Sequence, residues 1–249
     1  MIRPFVGASA KMALSPSDLA EVARWLGGDP WPRPPWPTER AGLVLTRRGA
    51  RLHAPGSASP EGVLWHPGMI PLRRRHLETD PLLRAVQPWP GMEILDATLG
   101  LGHDALILAE AGASVEGLEA VPALLYYTLD GLWRHAPGLA SRVAGRCGDH
   151  RALMAQMADD SKDVVYLDPM FPDHARRRNA QWSPLRVIAH GETVGAEALA
   201  EATRIARAAV VMKLHPGAPL PDWGAPRRVT SQRVQFAVWS VGSMEETRT

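Results

Sequence analysis

The stretch MEILDATLGLGHDA, residues 92–105, decides the fold class of this chain. It begins with a short apolar run suited to a buried strand, passes through Gly100 and Gly102, and leads into a helix predicted over residues 104–111. Glycine lets a backbone turn sharply and approach a ligand without a Cβ in the way. The first turn of the following helix offers unpaired N–H groups to that ligand. The pattern therefore predicts a strand, a cofactor-binding loop and a helix.

The same alternation of strand and helix continues along the chain. The predicted strands cover residues 92–95, 114–118, 141–146, 163–167, 208–213 and 234–241. The predicted helices cover residues 104–111, 123–134 and 195–207. Strands that are apolar on both faces and alternate with helices indicate a parallel sheet covered by helices, which is an α/β fold.

A small separate subdomain is predicted before this region. Residues 15–26 fit a helix with a serine N-cap, and alternating residues on both sides of Arg47–Gly49 fit a hairpin. Between them, residues 27–37 are rich in proline and indicate a stiff linker, because proline lacks the N–H that a helix or a central strand needs. The sequence thus predicts a helix and hairpin subdomain over residues 1–62 and a larger domain over residues 63–249.

Composition limits what else the chain can be. With 249 residues, 45% of them apolar, it can bury a core without a disulfide or a structural metal, and Cys147 is its one cysteine. No apolar run reaches the roughly 20 residues needed to span a bilayer. The nine histidines show no metal-ligand spacing. We therefore expect a cytoplasmic protein with no membrane segment and no bound metal.

Acidic residues around the glycine loop bear on which cofactor it binds. The G-x-G-x-x-A spacing also fits a nicotinamide cofactor, so the loop alone leaves both possibilities open. Asp96 ends the first strand, and Asp104 is either a cofactor contact or a helix cap. Negative charge is unfavourable beside a pyrophosphate but favourable beside the ammonium and sulfonium of S-adenosylmethionine. Glu119 suits the ribose hydroxyls of either cofactor, and Asp149 either accepts from the adenine amine or caps a helix.

The sequence DVVYLDPMFP, residues 163–172, predicts the reaction centre. Asp168, Pro169 and Phe171 fall just outside the carboxyl end of the fourth strand, the edge where open parallel sheets bind ligands. The prolines hold an extended backbone that can direct the Asp168 carboxylate and the Pro169 carbonyl at the N–H bonds of a base amine. Phe171 would stack on an extruded base. The alternative is a tight turn with Phe171 in the core.

Together these motifs resemble a known family. They are similar to the small-subunit (16S) rRNA guanine-N2 methyltransferase family in four segments: LDATLGLGHDA (95–105), GLEAVPALL (117–125), DVVYLDPMFP (163–172) and VVMKLHPGAP (210–219). Two further segments, HPGM (66–69) and SPLR (183–186), resemble uncharacterised bacterial relatives of that family. The resemblance implies a Rossmann-like class I methyltransferase fold in residues 63–249, with a mostly parallel, doubly wound sheet and a late antiparallel strand. It also implies S-adenosyl-L-methionine as the cofactor.

The resemblance further implies individual site residues. It places cofactor contacts at His103, Asp104, Glu119, Ala120 and Asp168. Lys213 ends the fifth predicted strand at the same edge, so we expect it to contact the substrate or to pair with Asp168.

The arginine content points to an RNA partner. Of the 28 basic residues, three are lysine and 25 are arginine, which binds phosphate bidentately and stacks on bases. A GC-rich genome is the competing explanation for this bias. One arginine cluster, Arg73–Arg75, precedes the cofactor loop, and another, Arg176, Arg177 and Arg178, follows the predicted reaction centre. The second cluster is predicted to bind substrate RNA.

These observations predict methyl transfer to an exocyclic amine of a nucleobase, guanine N2 in rRNA. The expected partner is rRNA or a small-subunit assembly intermediate. Within the same enzyme class, the alternative is methylation of a small molecule or a protein. Outside it, the alternatives are a nicotinamide-dependent oxidoreductase and a non-catalytic RNA-binding relative that retains the cofactor fold.

Overall fold

The computed structural model describes residues 3–12, 14–37, 39–53, 55, 62–169 and 194–242. These residues divide into two compact units. The first unit contains the described residues up to 66 together with residues 120–137. The second contains residues 67–119, 138–169 and 194–242.

Helices and strands alternate along most of the described chain. The helices are α1 (Pro16–Trp25), α2 (Ile70–Arg73), α3 (Pro81–Val86), α4 (His103–Glu110), α5 (Pro122–His135), α6 (Pro137–Ala140), α7 (His150–Met154) and α8 (Ala196–Ile205). The strands are β1 (Phe5–Ala8), β2 (Asp29–Trp31), β3 (Gly42–Thr46), β4 (Gly49–His53), β5 (Val63–Leu64), β6 (Glu93–Asp96), β7 (Ser114–Glu119), β8 (Val143–Cys147), β9 (Lys162–Leu167), β10 (Ala206–Leu214), β11 (Arg227–Thr230) and β12 (Gln235–Ser240). Short 3-10 helices cover Ala10–Met12 and Arg74–Thr79.

The first unit is built on a five-stranded sheet in the order β2-β1-β3-β4-β5. β1 lies parallel to β2 and β3, whereas β4 is antiparallel to its neighbours β3 and β5. Ser15 caps α1: its hydroxyl accepts the backbone N–H of Asp18, and the Asp18 carboxylate accepts the backbone N–H of Ser15. The predicted hairpin is the β3–β4 pair, in which Thr46 lies opposite Gly49. Both of these local predictions are confirmed.

Two strands of this sheet differ from what the sequence predicts. β1 is buried along its whole length, so it lacks the alternation by which a half-buried strand is recognised. It packs closely because Gly42 has no side chain: a Cβ there would lie 2.3 Å from the ring of Phe5. β2 lies inside the proline-rich stretch, so the linker prediction is wrong for residues 29–31. β2 is an edge strand, where the N–H that Pro30 lacks is not needed by a neighbour.

Helix α5 belongs to the first unit, although the chain has by then left the N-terminal region. The Tyr127 hydroxyl donates to the carbonyl of Val63 at 3.2 Å, and a Cβ on Gly131 would lie 2.2 Å from Cγ of Trp65. The first unit therefore combines two separate stretches of the chain, whereas the predicted boundary at residue 62 assigns α5 to the larger domain.

The second unit carries a seven-stranded sheet in the order β11-β12-β10-β9-β6-β7-β8. The strands from β10 through β8 are parallel to one another, and β12 is antiparallel to both β10 and β11. The predicted Rossmann-like sheet with a late antiparallel strand is confirmed. The edge strand β11 is missing from the sequence prediction because three of its four residues are exposed and its pattern resembles a loop.

Ion pairs join the amino-terminal ends of three neighbouring strands of this sheet. Asp163 at the start of β9 accepts the backbone N–H of Glu93 at 2.7 Å and pairs with Arg207 of β10. Arg207 also binds the Glu93 carboxylate at 2.9 Å. These contacts hold the amino-terminal ends of β6, β9 and β10 in register.

Candidate active site

The glycine loop leaves the carboxyl end of β6 and is held between the two neighbouring strands. The backbone N–H of Ala97 donates to the carbonyl of Tyr166 in β9 at 2.9 Å, and that of Leu99 donates to a carbonyl of β7 at 2.9 Å. Gly100 and Gly102 have φ angles of 50° and 67°, which are strained for residues with a side chain. Helix α4 begins directly after Gly102. The loop therefore has the strand, turn and helix arrangement that the sequence predicts.

Asp96 is the last residue of β6, and it is 2% exposed. Its Oδ1 accepts the backbone N–H of Thr98 at 3.1 Å. Burial, aided by the negative charges of Asp104 and Asp168, raises the pKa of Asp96 to about 8, although the Thr98 hydrogen bond and Lys213 oppose this. The Asp96 carboxyl therefore keeps its proton near neutral pH, and a cation placed beside it would favour release of that proton.

Asp104 lies at the centre of an ion-pair network. Its Oδ1 pairs with Arg73 at 2.5 Å, and its Oδ2 accepts from the Tyr166 hydroxyl and from Lys213 Nζ, each at 2.7 Å. Burial alone would raise the pKa of Asp104, but Lys213 and Arg73 outweigh burial and hold this pKa below its ordinary value. The cap position of α4 belongs to Gly102, so the helix-cap alternative for Asp104 is wrong.

Asp168 follows β9 and shares Lys213 with Asp104. Lys213 Nζ lies 2.7 Å from Asp168 Oδ2, and the Asp168 backbone N–H donates to Thr98 Oγ1 at 2.6 Å. Partial burial raises the pKa of Asp168; Lys213 opposes this effect, and Asp104 adds to it. The Asp168 side chain is 36% exposed, and no donor among the described residues contacts its Oδ1. One oxygen of Asp168 is thus held by the protein, and the other can accept from a ligand.

Lys213 is a cation held between two carboxylates. Burial would lower the pKa of Lys213, but Asp104 and Asp168 raise it above its ordinary value. The predicted pairing of Lys213 with Asp168 is present, and the second contact, with Asp104, is one that the sequence does not reveal.

Arg73 has a different role from the one its arginine cluster suggests. Its Nε and Nη2 bind the Asp80 carboxylate at 2.7 and 3.0 Å, and its Nη1 binds Asp104. The neighbouring Arg74 pairs with Glu110 at 3.0 Å. Both guanidinium groups are engaged by carboxylates, which leaves this cluster less positive charge to offer to RNA phosphates. No sequence pattern identifies Arg73 as a site residue, because Asp104 lies 31 positions further along the chain.

The other predicted cofactor residues lie at or near the carboxyl ends of the strands. Glu119 is the half-buried last residue of β7, its carbonyl accepts the backbone N–H of Gly148, and Ala120 follows it. Asp149 caps α7 by accepting the backbone N–H of Ala152 at 3.0 Å. The cap hypothesis for Asp149 is confirmed, and its contact with adenine stays a prediction.

His103 begins α4 and packs against the HPGM segment. A Cβ on Gly68, which has a φ of 55°, would lie 3.1 Å from Cε1 of the His103 ring. A glycine at position 68 thus lets this segment approach the cofactor loop. Pro169 is buried beyond β9. The remaining predicted site residues, Phe171, Arg176, Arg177 and Arg178, lie outside the described residues.

The residues at this edge of the sheet fit S-adenosylmethionine. The neighbouring strands β6, β7 and β9 end in, or are followed by, the carboxylic acids Asp96, Glu119 and Asp168. Carboxylates attract an ammonium or a sulfonium and accept hydrogen bonds from ribose hydroxyls. Among the described residues, a Cβ on Gly100 would meet only the carbonyl oxygen of Thr98, at 3.7 Å, so these residues leave space beside the loop. A cationic cofactor with a ribose diol suits both the charge and the shape of this edge.

Within the described ranges, no group of three or more His, Cys, Asp or Glu side chains is arranged to hold a metal ion. None of the helices in those ranges combines the length and the apolar character that crossing a bilayer requires.

The chain is similar in sequence to proteins of one enzyme family. The family model described as "Putative SAM-dependent methyltransferase" matches residues 38–240. "Uncharacterized protein YpiP" of Bacillus subtilis is 31% identical to the chain in a 201-residue alignment that covers 76% of this chain and 74% of that protein. "Ribosomal RNA small subunit methyltransferase J" of Nitrosococcus oceani is 34% identical in a 211-residue alignment that covers 79% of this chain and 83% of that protein.

A solved structure shares the fold. A SAM-dependent methyltransferase from Neisseria gonorrhoeae has a TM-score of 0.70 and 22% sequence identity, over 97% of this chain and 98% of that one. The family match over most of the chain excludes the nicotinamide-dependent alternative for the glycine loop. With its carboxylates placed for a cationic cofactor, the chain belongs to the S-adenosyl-L-methionine-dependent methyltransferases.

Proposed function

We propose that this methyltransferase modifies an exocyclic amine of a nucleobase, guanine N2 in small-subunit rRNA. The observation that carries the proposal is the position of Asp168 and Pro169 beside the glycine loop, with Lys213 on one Asp168 oxygen. An Asp-Pro pair at the ligand-binding edge of the sheet suits an amine that has two N–H bonds to orient. The relative from Nitrosococcus oceani, named for small-subunit rRNA, supports the class of substrate.

The chemistry asks the protein to make a weak nucleophile reactive. The lone pair of the guanine amine is delocalised into the ring, so the nitrogen must become pyramidal before it can attack. S-adenosyl-L-methionine, when bound, supplies an electrophilic methyl group on a positively charged sulfur. Asp168 Oδ1 and the Pro169 carbonyl accept the two N–H bonds of the amine, which favours the pyramidal nitrogen. The nitrogen loses one proton as the new C–N bond forms, and Asp168, with its raised pKa, is suited to accept that proton.

Lys213, Asp104 and Arg73 position Asp168 for this step. Lys213 holds Oδ2 of Asp168 and is itself held by Asp104, which Arg73 binds from the end of α2. A carboxylate oriented by such a network loses little freedom when the substrate binds, and positioning of this kind lowers the barrier to reaction. Both oxygens of Asp104 are engaged within the protein, so we assign Asp104 to this network in preference to a direct cofactor contact.

The remaining cofactor contacts follow the strand ends. We assign Glu119 to the ribose hydroxyls and Asp96 to the positively charged end of the cofactor. The other assigned contacts are Gly100, Gly102, His103, Ala120, Asp149 and Asp168. Asp149 can serve both as a helix cap and as a cofactor contact, because the cap uses only its Oδ1 atom. Among the described residues, Oδ2 accepts a hydrogen bond only from Arg151, at 3.4 Å.

Four assignments rest on the sequence alone. Phe171 is assigned to stack on the target base, and Arg176, Arg177 and Arg178 are assigned to RNA phosphates. The proposed partner is rRNA or a small-subunit assembly intermediate, which places the enzyme in the cytoplasm with the ribosome.

Mass spectrometry of rRNA nucleosides tests this proposal. Small-subunit rRNA from cells that lack the gene is incubated with the enzyme and S-adenosyl-L-methionine, and N2-methylguanosine is expected to appear. The variant Asp168→Asn keeps the shape of the side chain but loses its charge, so we expect a rate lower by about 100-fold or more. Asp222→Asn, an exposed change in the same unit, should leave the rate unchanged.

Two results would contradict the proposal. One is an rRNA without new methyl groups while a protein or a small molecule in the same extract acquires them. The other is a full rate with Asp168→Asn when calorimetry shows that this variant still binds the cofactor.

A further inference from the structure

The first unit contains a basic pocket that belongs to neither the cofactor loop nor the reaction centre. It has a volume of about 400 Å³ and is lined by Ser9, Lys11, Thr46, Arg47, Arg48 and Arg51. Four of these six residues are cations, two carry hydroxyl groups, and none is acidic. The Ser9 hydroxyl and the side chains of Lys11, Arg47 and Arg48 can donate hydrogen bonds to the oxygens of an anion.

The β3–β4 hairpin builds this pocket. Thr46 Oγ1 donates to the carbonyl of Gly49 at 2.7 Å and accepts the backbone N–H of Arg48 at 3.2 Å, which closes a tight turn with Arg47 and Arg48 at its tip. Arg47 Nε donates to the carbonyl of Lys11 at 2.9 Å. This bond ties the 3-10 helix after β1 to the hairpin turn, so a third cation is held beside the first two.

No carboxylate among the described residues forms an ion pair with the cations at the tip of this turn. Lys11, Arg47 and Arg48 are exposed, and none of the three forms a salt bridge with the residues that the structure describes. Asp130, which accepts a backbone N–H of β4, is itself paired with Arg134 at 2.8 Å. Neighbouring like charges repel, so holding three cations together destabilises the turn unless an anion binds there.

We propose that this pocket binds the phosphate backbone of the RNA substrate. The inference rests on the proposed function, since it takes RNA to be what the enzyme methylates. Arginine binds phosphate oxygens bidentately, and a volume of about 400 Å³ lies in the range of pockets, roughly 300–1,000 Å³, that hold nucleotide-sized groups. Contacts of this kind position an RNA without reading its bases. The pocket therefore provides affinity that is independent of the sequence around the target nucleotide.

RNA binding by the full-length protein tests this inference directly. The probe is a short fluorescein-labelled single-stranded RNA, and its anisotropy is measured over a range of salt concentrations. The double variant Arg47→Ala/Arg48→Ala loses two phosphate contacts. Each contact contributes about 0.7 to the slope of the logarithm of the binding constant against the logarithm of the salt concentration. We expect affinity to fall by roughly 25-fold at about 0.1 M salt, and the slope to become shallower by about 1.4. The control Arg24→Ala/Arg33→Ala removes the same charge from exposed positions of the same unit and should bind as the wild type does.

Two further measurements separate binding from folding and from chemistry. The double variant should unfold at a temperature no lower than that of the control, because relief of the repulsion between the cations offsets the lost Arg47–Lys11 hydrogen bond. Arg47→Lys/Arg48→Lys should keep most of the salt dependence because it keeps both charges. In rRNA methylation, the double variant should raise KM with little change in kcat, and calorimetry should show unchanged affinity for S-adenosyl-L-methionine.

The outcomes distinguish this inference from the proposed function. If the wild type methylates rRNA and the double variant binds and methylates it equally well, the pocket proposal is overturned and the proposed function stands. If RNA binding depends on Arg47 and Arg48 but rRNA acquires no methyl group, the pocket proposal is supported and the proposed function fails. Binding that depends on these arginines with anionic phospholipid vesicles or with free AMP, but not with RNA, also overturns the pocket proposal.

Discussion

Single residues at the carboxyl ends of β6, β9 and β10 form a site in which one cation serves two carboxylates. Lys213 lies 2.7 Å from both Asp104 and Asp168. Without it, two neighbouring carboxylates would repel each other, and one of them would take up a proton. Arg73 relieves the remaining charge on Asp104. Asp96 has no such ion-pair partner among the described residues, and its raised pKa reflects this.

The pKa of Asp96 predicts a pH-dependent effect of the variant Asp96→Asn. In the folded protein the pKa of Asp96 is about 8, against an ordinary value of 3.8. The folded state therefore favours the protonated carboxyl: its full free energy of unfolding is present below about pH 4, and part of it is lost as pH rises through 8. Asparagine cannot ionise and avoids this loss. We therefore expect Asp96→Asn to raise Tm relative to the wild type by roughly 8 °C more at pH 9 than at pH 5. Thermal unfolding at the two pH values measures the difference, and an equal effect at both would count against a raised pKa.

The same residue links pH to cofactor binding. A cationic cofactor beside Asp96 favours the ionised carboxylate, so the wild type should bind S-adenosyl-L-methionine more tightly as pH rises toward 8. Calorimetry should show that Asp96→Asn weakens binding and flattens this part of the pH dependence. A variant with unchanged affinity would remove Asp96 from the cofactor site.

At the level of elements, α5 is held in the first unit by a glycine. Gly131 lies so close to Trp65 that a Cβ would come within 2.2 Å of Cγ of the indole. Trp65 is 4% exposed, and Cγ lies next to its backbone, so the indole has little room to move away. The helix therefore depends on a residue that, on propensity alone, disfavours helices by about 1 kcal/mol.

The variant Gly131→Ala should destabilise the protein despite its better helix propensity. Overpacking against Trp65 opposes the gain in propensity, and we expect a net loss of about 1–2 kcal/mol in the free energy of unfolding, measured in urea. Gly138→Ala in α6 is the matched control, because no atom of the described residues lies within 4 Å of the Cβ that it adds. Equal stability of the two variants would show that α5 and the Trp65 indole have room for an added methyl group at position 131.

At the level of the whole molecule, the first unit is assembled from two stretches of the chain that are separated by about 50 residues of the second unit. Its sheet comes from the N-terminal stretch, and α5 returns to it much later in the chain. The Tyr127 hydroxyl, bonded to Val63, and the backbone of Ala50, bonded to Asp130, are two of the connections between them. Neither stretch can bury its apolar surface alone.

A chain that begins at residue 67 should consequently fail to fold cooperatively. It would lose β1–β5 and Trp65, and the buried side chains of α5 that face them, including Tyr127 at 4% exposure, would be uncovered. Calorimetry of residues 67–249 should show no sharp unfolding transition, whereas the full chain should show one. A transition within about 3 °C of that of the full chain would mean that the second unit folds independently.

Local sequence patterns reveal some features of this structure and miss others. Mostly apolar runs and the glycine turn predict β6, β9, β10 and the loop between β6 and α4, because strand formation and left-handed glycines depend on neighbouring residues. β1 and β11 are missing from the prediction because one is buried throughout and the other is mostly exposed, so neither shows a period of two. Arg73 and the second contact of Lys213 are missing because their partners are distant in the chain.

The sequence by itself determined the fold class and the positions of the acidic residues at the strand ends, since these follow from the order of apolar runs and from motifs only a few residues long. It determined the cofactor through similarity over most of the chain. Tertiary structure alone decided how those acids are used. Asp104 is paired, Asp96 is buried, and Asp168 keeps one oxygen for a ligand. The physical reason is that ionisation depends on burial and on the charges within a few ångströms, and here those charges come from α2 and β10, far apart in sequence.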